Sequence, residues 1–275
     1  MDRIAVIAGG AAHGAEVVGK LTKLRRNYNV FIGTSTGALI SLLLACEKYE
    51  QLDEEYLNAT NKDMYGFNLF KNGKLNKKRI LFAFPKLFFK PYLFNLSERI
   101  EQKVRDNFSK EDFERLNERG VKVVVTVKPI DYKNAPTLFV SNLDNGMYYD
   151  KFVKFVTASA AIPFLAKPIE ILGERYVDGG VQEPIPTAYL NKYTDAFVDI
   201  WLMHSKRDLE TSLKPIKNGF DLAGRLFGDM RNEILEDDLN VKKATIHYSS
   251  YKDWSSADFD TEKMREIWER GRNAV

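Results

Sequence analysis

Apolar positions along this chain fall into short unbroken runs, separated by longer stretches where they recur every three or four residues. Residues 3–8 and 30–32 are two such runs, and 121–127 is a third, with valine at five of its seven positions. Runs this short and continuous predict strands covered on both faces, as in a parallel sheet. The helical spacing predicts helices over 14–26, 38–46, 51–63, 97–107 and 110–118. Ser97 is a candidate cap for the fourth of these. Ser109, with Asp112 three residues on and Gly120 at the far end, brackets the fifth. Farther along, 137–142 and 147–150 read as a hairpin around Asp144-Asn145-Gly146. A helix over 151–161 stops at Ile162-Pro163. A second hairpin, 167–171 with 174–177, turns at Leu172-Gly173 and runs straight into Asp178-Gly179-Gly180. Strands at 196–204 and 244–249, amphipathic helices within 215–239 and a helix over 261–270 complete the pattern. Strands alternating with helices give an α/β fold with a mainly parallel sheet covered on both faces.

One segment breaks this pattern. Residues 64–97 contain no Asp or Glu, but hold Lys71, Lys74, Lys77, Lys78, Arg79, Lys86 and Lys90 among nine aromatic side chains. Pro85 and Pro91 forbid a single continuous helix there. The expectation is one domain, 1–275, with 64–97 inserted as a cap. Basic residues mixed with aromatics also suit an anionic lipid surface, so peripheral membrane contact through 64–97 is expected as well.

Composition narrows the class. With 275 residues, 44% of them apolar and 29% charged, the chain is globular and needs no metal or disulfide to fold. A net charge of +3 is too small to argue for nucleic acid as a partner. Cys46 is the one cysteine, so no intramolecular disulfide forms and a reducing, cytoplasmic location fits. The N-terminus lacks a basic n-region and reads as a first strand, not a leader peptide. No apolar run reaches the length of a membrane span.

The chemistry begins at Gly33-Thr34-Ser35-Thr36-Gly37, set between the run at 30–32 and an apolar helix. A serine flanked by glycines at a strand-to-helix turn is a nucleophile elbow, with its hydroxyl lifted to the helix N-terminus. The bland alternative is that Ser35 simply caps the helix. Gly9-Gly10-Ala11-Ala12-His13-Gly14 follows the first strand and gathers backbone amides around one point, which suits an oxyanion or a phosphate. A dinucleotide site is disfavoured, because the next strand ends in the elbow and no acidic residue stands where a ribose would be held. A base for Ser35 has two sources. His204 follows a strand and could complete a triad with Asp178 or Asp199 orienting it. Asp178 could act alone, since Gly179 and Gly180 leave its carboxylate uncovered at the sheet's carboxyl edge; by itself it could equally be a turn aspartate.

Taken together, the glycine turn at 9–14, the elbow at 33–37, Ala158-Ser159-Ala160-Ala161-Ile162-Pro163-Phe164 and Asp178-Gly179-Gly180 resemble the patatin-like phospholipase family. Pro184 and Pro186 strengthen the likeness, which covers roughly residues 3–200. The resemblance implies a three-layer α/β/α sandwich. It also implies a Ser35–Asp178 dyad without histidine, an oxyanion loop at Gly9, Gly10, Ala11 and His13, and metal- and cofactor-free hydrolysis of phospholipid or other acyl-lipid esters. Two positions depart from the family pattern. Ala11 replaces a glycine, which leaves the amides intact unless that position needs a positive φ, so tolerance is expected. His13 replaces Arg or Lys and is charged only when protonated, so weaker or more pH-dependent catalysis is expected. A soluble α/β-hydrolase esterase with a His204 triad and a catalytically weakened lipid-binding homologue are the alternatives.

Overall fold

The computed structural model describes residues 1–66, 70–71, 74–76, 89–90, 92, 94, 96–203, 244–250 and 258–275. The three apolar runs become β1 (Asp2–Ile7), β2 (Val30–Thr34) and β3 (Lys122–Pro129). Side chains alternate along each strand, and both sets are buried. Ile4, Val6, Val30, Ile32 and Val124 join one core, while Ala5, Ile7, Phe31, Val123, Val125 and Val127 join the other. That is why no polar alternation marks these strands in the sequence.

The remaining strands of the main sheet are β4 (Leu138–Ser141), β5 (Ile169–Ile171), β6 (Glu174–Asp178), β7 (Ala196–Trp201) and β8 (Ala244–His247). Their order is β8-β7-β1-β2-β3-β6-β5, with β4 also on β3. Strands β1, β2, β3, β7 and β8 run parallel, whereas β4, β5 and β6 are antiparallel.

Helices flank the sheet. α1 (Gly14–Leu24), α2 (Thr36–Ala45), α3 (Tyr49–Asn58), α4 (Asn61–Tyr65), α5 (Leu96–Asn107), α6 (Lys110–Glu118), α7 (Tyr149–Ser159) and α8 (Thr261–Asn273) follow in chain order. Residues of α1, α2, α3, α5, α6, α7 and α8 fill the core that holds Ala5, Ile7 and Phe31. Ile185, Tyr189 and Leu190 cover the other face among the described residues. The arrangement is the mostly parallel α/β/α fold that the pattern predicted. No helix among the described residues is long and apolar enough to cross a membrane.

One feature of the register positions everything that follows. β2 runs along one edge of β3 and ends with Thr34 opposite Thr126. β4 occupies the other edge, with Leu138 opposite Val127. At Val127 the edge that β2 has left is taken up by β6, with Asp178 opposite that valine. Ser35 and Asp178 therefore follow one another along a single edge of β3.

Several expected elements differ. Residues 147–150 form no second hairpin arm: β4 pairs with β3, and Asp144 accepts the Ser141 amide at 2.8 Å in a turn that leads into α7. Ser97 lies inside α5 and donates to the Lys167 carbonyl instead of capping. The stretch 51–63 is two helices, because a capping box between Thr60 and Asp63 restarts the chain as α4. The box around α6, from Ser109 to Asp112, is as expected. Most of the expected cap at 64–97, and the helices at 215–239, lie outside the described residues. Where the inserted stretch returns, Phe94 is buried against Tyr65 and its amide bonds the Leu165 carbonyl at 3.1 Å.

Asp199 ties the β7 side of the sheet together. Its carboxylate accepts from Arg26 and from the Tyr28 hydroxyl and lies 2.8 Å from His247 Nε2, and His247 stacks on Trp201. Burial alone would raise its pKa, but the bonds from His247, Tyr28 and Arg26 outweigh burial and hold it at about 2. A folded pKa below the unfolded one contributes stability above about pH 4, which is lost as pH falls towards 2. We predict that this pair of states is worth about 2 kcal/mol, and that Asp199→Asn removes it. Melting temperature measured from pH 7 to pH 2 should fall less steeply in the variant, and a parallel acid decline in both proteins would count against this.

Candidate active site

The elbow is built by close approach. A Cβ on Gly33 would lie 2.3 Å from the Gly37 carbonyl oxygen, and one on Gly37 would lie 2.1 Å from that of Ile7. Only glycine lets α2 start this close to β1 and β2. Between them Ser35 sits at φ 57° and ψ −127°, a conformation that costs a serine of order 1–3 kcal/mol and persists only where its surroundings impose it. Its hydroxyl makes no capping bond to α2, which removes the reading of Ser35 as an N-cap. Its amide donates to Ser159 Oγ at 3.0 Å.

The glycine turn lies against this serine: a Cβ on Gly9 would come within 3.2 Å of Ser35 Cβ. The amides of the turn are divided. Gly9 donates to the Pro184 carbonyl and His13 to that of Gly10, both at 3.1 Å. The amides of Gly10 and Ala11 have no such bond among the described residues. Gly10 fits because Met203 packs on it, where a Cβ would meet the methionine side chain at 2.5 Å. Ala11 has φ 48°, in the left-handed region. The tolerance expected of alanine is therefore incomplete, since this position does demand a positive φ and strains an alanine by about 1–2 kcal/mol. His13 is buried in a short turn (Ala11–His13) just ahead of α1.

Asp178 closes the site from the other strand. Its amide donates to the Ala161 carbonyl at 3.0 Å, and its Oδ1 accepts the Gly180 amide at 2.7 Å. Gly179 packs on the Thr126 backbone, and a Cβ on Gly180 would meet Asp178 Oδ1 at 3.0 Å and Thr34 Cγ2 at 3.2 Å. Asp178 does hold its own turn, as the bland reading had it, but that turn lies against the elbow. Thr34 and Thr126 pair through their hydroxyls, and Thr34 also donates to the Glu183 carbonyl at 3.0 Å. Burial pushes the Glu183 carboxyl above its ordinary pKa. Among the described residues the Ser35 hydroxyl makes no hydrogen bond, to Asp178 or to a histidine. Catalytic contacts of this kind commonly close only when substrate is bound.

Of the alternative triad, His204 lies outside the described residues and Asp199 is occupied by Arg26, Tyr28 and His247.

The patatin-like phospholipase family model matches residues 5–191, which takes in the glycine turn, the elbow, the 158–164 segment and Asp178. The chain belongs to this family. Membership of this family supports a lipid hydrolase, with lipids as the substrate class it implies. No curated protein sequence matches the chain. Among solved structures it is similar to VipD from Legionella pneumophila, at 12% identity and TM-score 0.45, over 98% of this chain and 67% of that one. It is also similar to the type III effector protein ExoU, at 13% identity and TM-score 0.37, over 99% of this chain and 52% of the other.

This patatin-like site depends on two residues to which the pattern gave no role. Ser159, fully buried at the end of α7, accepts the amide of Ser35, and Ala161, two residues on, accepts that of Asp178. One turn of chain therefore anchors both halves of the site. The signal in the sequence was a serine set among alanines before Ile162-Pro163, but its partner could not be read there. We predict that Ser159→Ala, which leaves a buried amide unpaired, costs about 1–3 kcal/mol and lowers turnover at least tenfold. Chemical denaturation and ester hydrolysis measured together would show both, and unchanged values would dismiss the anchor. Ala11→Gly should act in the opposite direction, relieving the left-handed alanine for a net gain of up to about 1 kcal/mol after the added chain entropy is subtracted. Loss of stability in that variant would refute strain at position 11.

Proposed function

We propose that this chain hydrolyses carboxylic esters of phospholipids or other acyl lipids through an acyl-enzyme on Ser35, with Asp178 as the base and no metal. The observation that carries this reading is the exchange of strands along β3, where the strained elbow at the end of β2 is followed by Asp178 at the end of β6.

In the proposed reaction the Asp178 carboxylate takes the proton of Ser35 as Oγ attacks the ester carbonyl. The carbonyl oxygen becomes an oxyanion held by the Gly10 and Ala11 amides, which make no backbone bond among the described residues. Gly9 backs the serine and His13 closes the turn that presents those amides. The N-terminus of α2 adds its partial positive charge. When the tetrahedral intermediate collapses, the proton on Asp178 passes to the departing alkoxide, which leaves the acyl group on Ser35. A water that gives its proton to Asp178 then attacks the acyl-enzyme. The fatty acid is released and the proton returns to Ser35 Oγ. A carboxylate acting without an intervening imidazole needs both partners on rigid supports, which suits their shared anchor at 159–161.

The test is hydrolysis of phospholipids, lysophospholipids and short p-nitrophenyl esters by the wild type, Ser35→Ala, Asp178→Asn and His204→Ala. Each of the first two variants should lose at least about a thousandfold in turnover, and the double variant should be no worse than either, as for residues acting as one unit. Labelling of Ser35 by a fluorophosphonate should accompany activity. Loss of activity in His204→Ala would establish the triad in place of the dyad.

A further inference from the structure

Two side chains near the site combine backbone strain with exposed apolar surface. Phe164, at φ 66°, and Leu172, at φ 54°, are large and apolar, whereas the other described non-glycine residues at positive φ are small or polar. A bulky side chain is an outlier in that region. Both are also turned to solvent, with 78% of Leu172 and 62% of Phe164 exposed. Leu172 and Gly173 are the central residues of the turn between β5 and β6, and both take a positive φ, as a type I′ hairpin requires. Asparagine suits the first of these places. Leucine strains the turn and leaves an apolar side chain in water.

Position gives this combination its meaning. Asp178 stands opposite Val127 and Tyr176 opposite Pro129, so from the site outwards β6 runs past the end of β3. The strand carries Glu174 about 13 Å beyond the level of Asp178, and the strained turn tips that arm. The arm is braced at its base. The Ile130 amide bonds the Arg175 carbonyl at 3.0 Å, and Asp131 accepts from both the amide and the guanidinium of Arg175. Ile130 and Tyr132, in the loop after β3, are exposed as well. Phe164 lies three residues after Ala161, the acceptor of the Asp178 amide, and the exposed Val181 lies three residues after Asp178. All five side chains belong to the carboxyl edge of the sheet, where Ser35 and Asp178 stand. Segments 128–133 and 167–175 hold four cations and three carboxylates, so this border is nearly neutral and its apolar character dominates.

We propose that Phe164 and the Leu172 turn, with Ile130, Tyr132 and Val181 beside them, dock the site on a lipid bilayer by placing their side chains below the head groups. The proposal rests on the lipid-hydrolase reading of Ser35 for its partner. Insertion removes the exposed apolar surface from water, which offsets the strain of presenting it. Because the border is nearly neutral, this docking does not depend on anionic lipid, unlike the contact expected of the basic segment 64–97.

The test is cosedimentation of the full chain with phosphatidylcholine vesicles, beside hydrolysis of the vesicle lipid and of p-nitrophenyl acetate. Asparagine tolerates a left-handed backbone and does not insert, so Leu172→Asn should act in two directions. It should raise the melting temperature by about 2 °C or more and weaken vesicle binding at least about fivefold. Phe164→Asn should weaken binding by a similar factor. Hydrolysis of vesicle lipid by Leu172→Asn should fall with its binding, while acetate turnover stays at the wild-type rate. Binding of the wild type should survive about 0.5 M NaCl, which screens exposed charges. Unchanged vesicle binding in both variants, binding lost in that salt, or a Leu172→Asn protein that melts below the wild type would overturn the proposal. A wild-type dimer that Leu172→Asn dissociates would overturn it too, by assigning the patch to a second copy of this chain. Binding separates the two readings. Vesicle binding that depends on Leu172 in a protein that cleaves no ester would refute the hydrolase and keep the docking surface, while vesicle hydrolysis indifferent to Leu172 and Phe164 would do the reverse.

Discussion

The edge of β3 that passes from β2 to β6 is the constraint on which the site depends. A sheet edge offers one row of hydrogen-bonding groups, and two strands can share it only end to end. When β2 stops at Thr34, the unpaired backbone of Val127 and beyond must be satisfied, and β6 satisfies it in the antiparallel sense. The two chain reversals, one into α2 and one out of β6, are thereby forced together. Thr126 bonds the Gly33 carbonyl and packs under Gly179, so the same residue of β3 supports both reversals. The succession of Ser35 and Asp178 along this edge follows from ladder geometry.

Around this junction the polar groups are distributed with little to spare. The amide of Ser35 goes to Ser159 and that of Asp178 to Ala161, while Gly9 is tied to Pro184 and Thr34 to Glu183. In a buried site each of these would be costly if unmade. Because they are made, the left-handed serine and the left-handed alanine can be held in conformations they would not choose. Among the described residues the amides of Gly10, Ala11 and Ala12 are left over in the glycine turn.

Much of the fold was legible because its periodicities are strong. Valine-rich runs buried on both faces admit few structures other than a parallel sheet, and the capping box at Ser109 and Asp112 fixed a helix start from four residues. The misplaced elements share one cause, a polar side chain whose partner lies far along the chain or in an unforeseen turn. Ser97 was expected to serve its own helix and instead serves Lys167, seventy residues away. Met147–Asp150 alternates like a strand, but the turn set by Asp144 delivers it to a helix N-terminus.

At the site the division is similar. The residues alone singled out the candidate groups for the proposed chemistry, because a glycine-flanked serine between a strand and an apolar helix, and an aspartate before two glycines, have few other uses. Which amides of the glycine turn remain available, that Ala11 takes a positive φ, and that Ser159 accepts the Ser35 amide were decided only by the tertiary structure. Hydrogen-bond partners and backbone angles at a sharp turn depend on what packs against it, and in this chain the Ser35 and Gly9 amides bond segments more than a hundred residues distant.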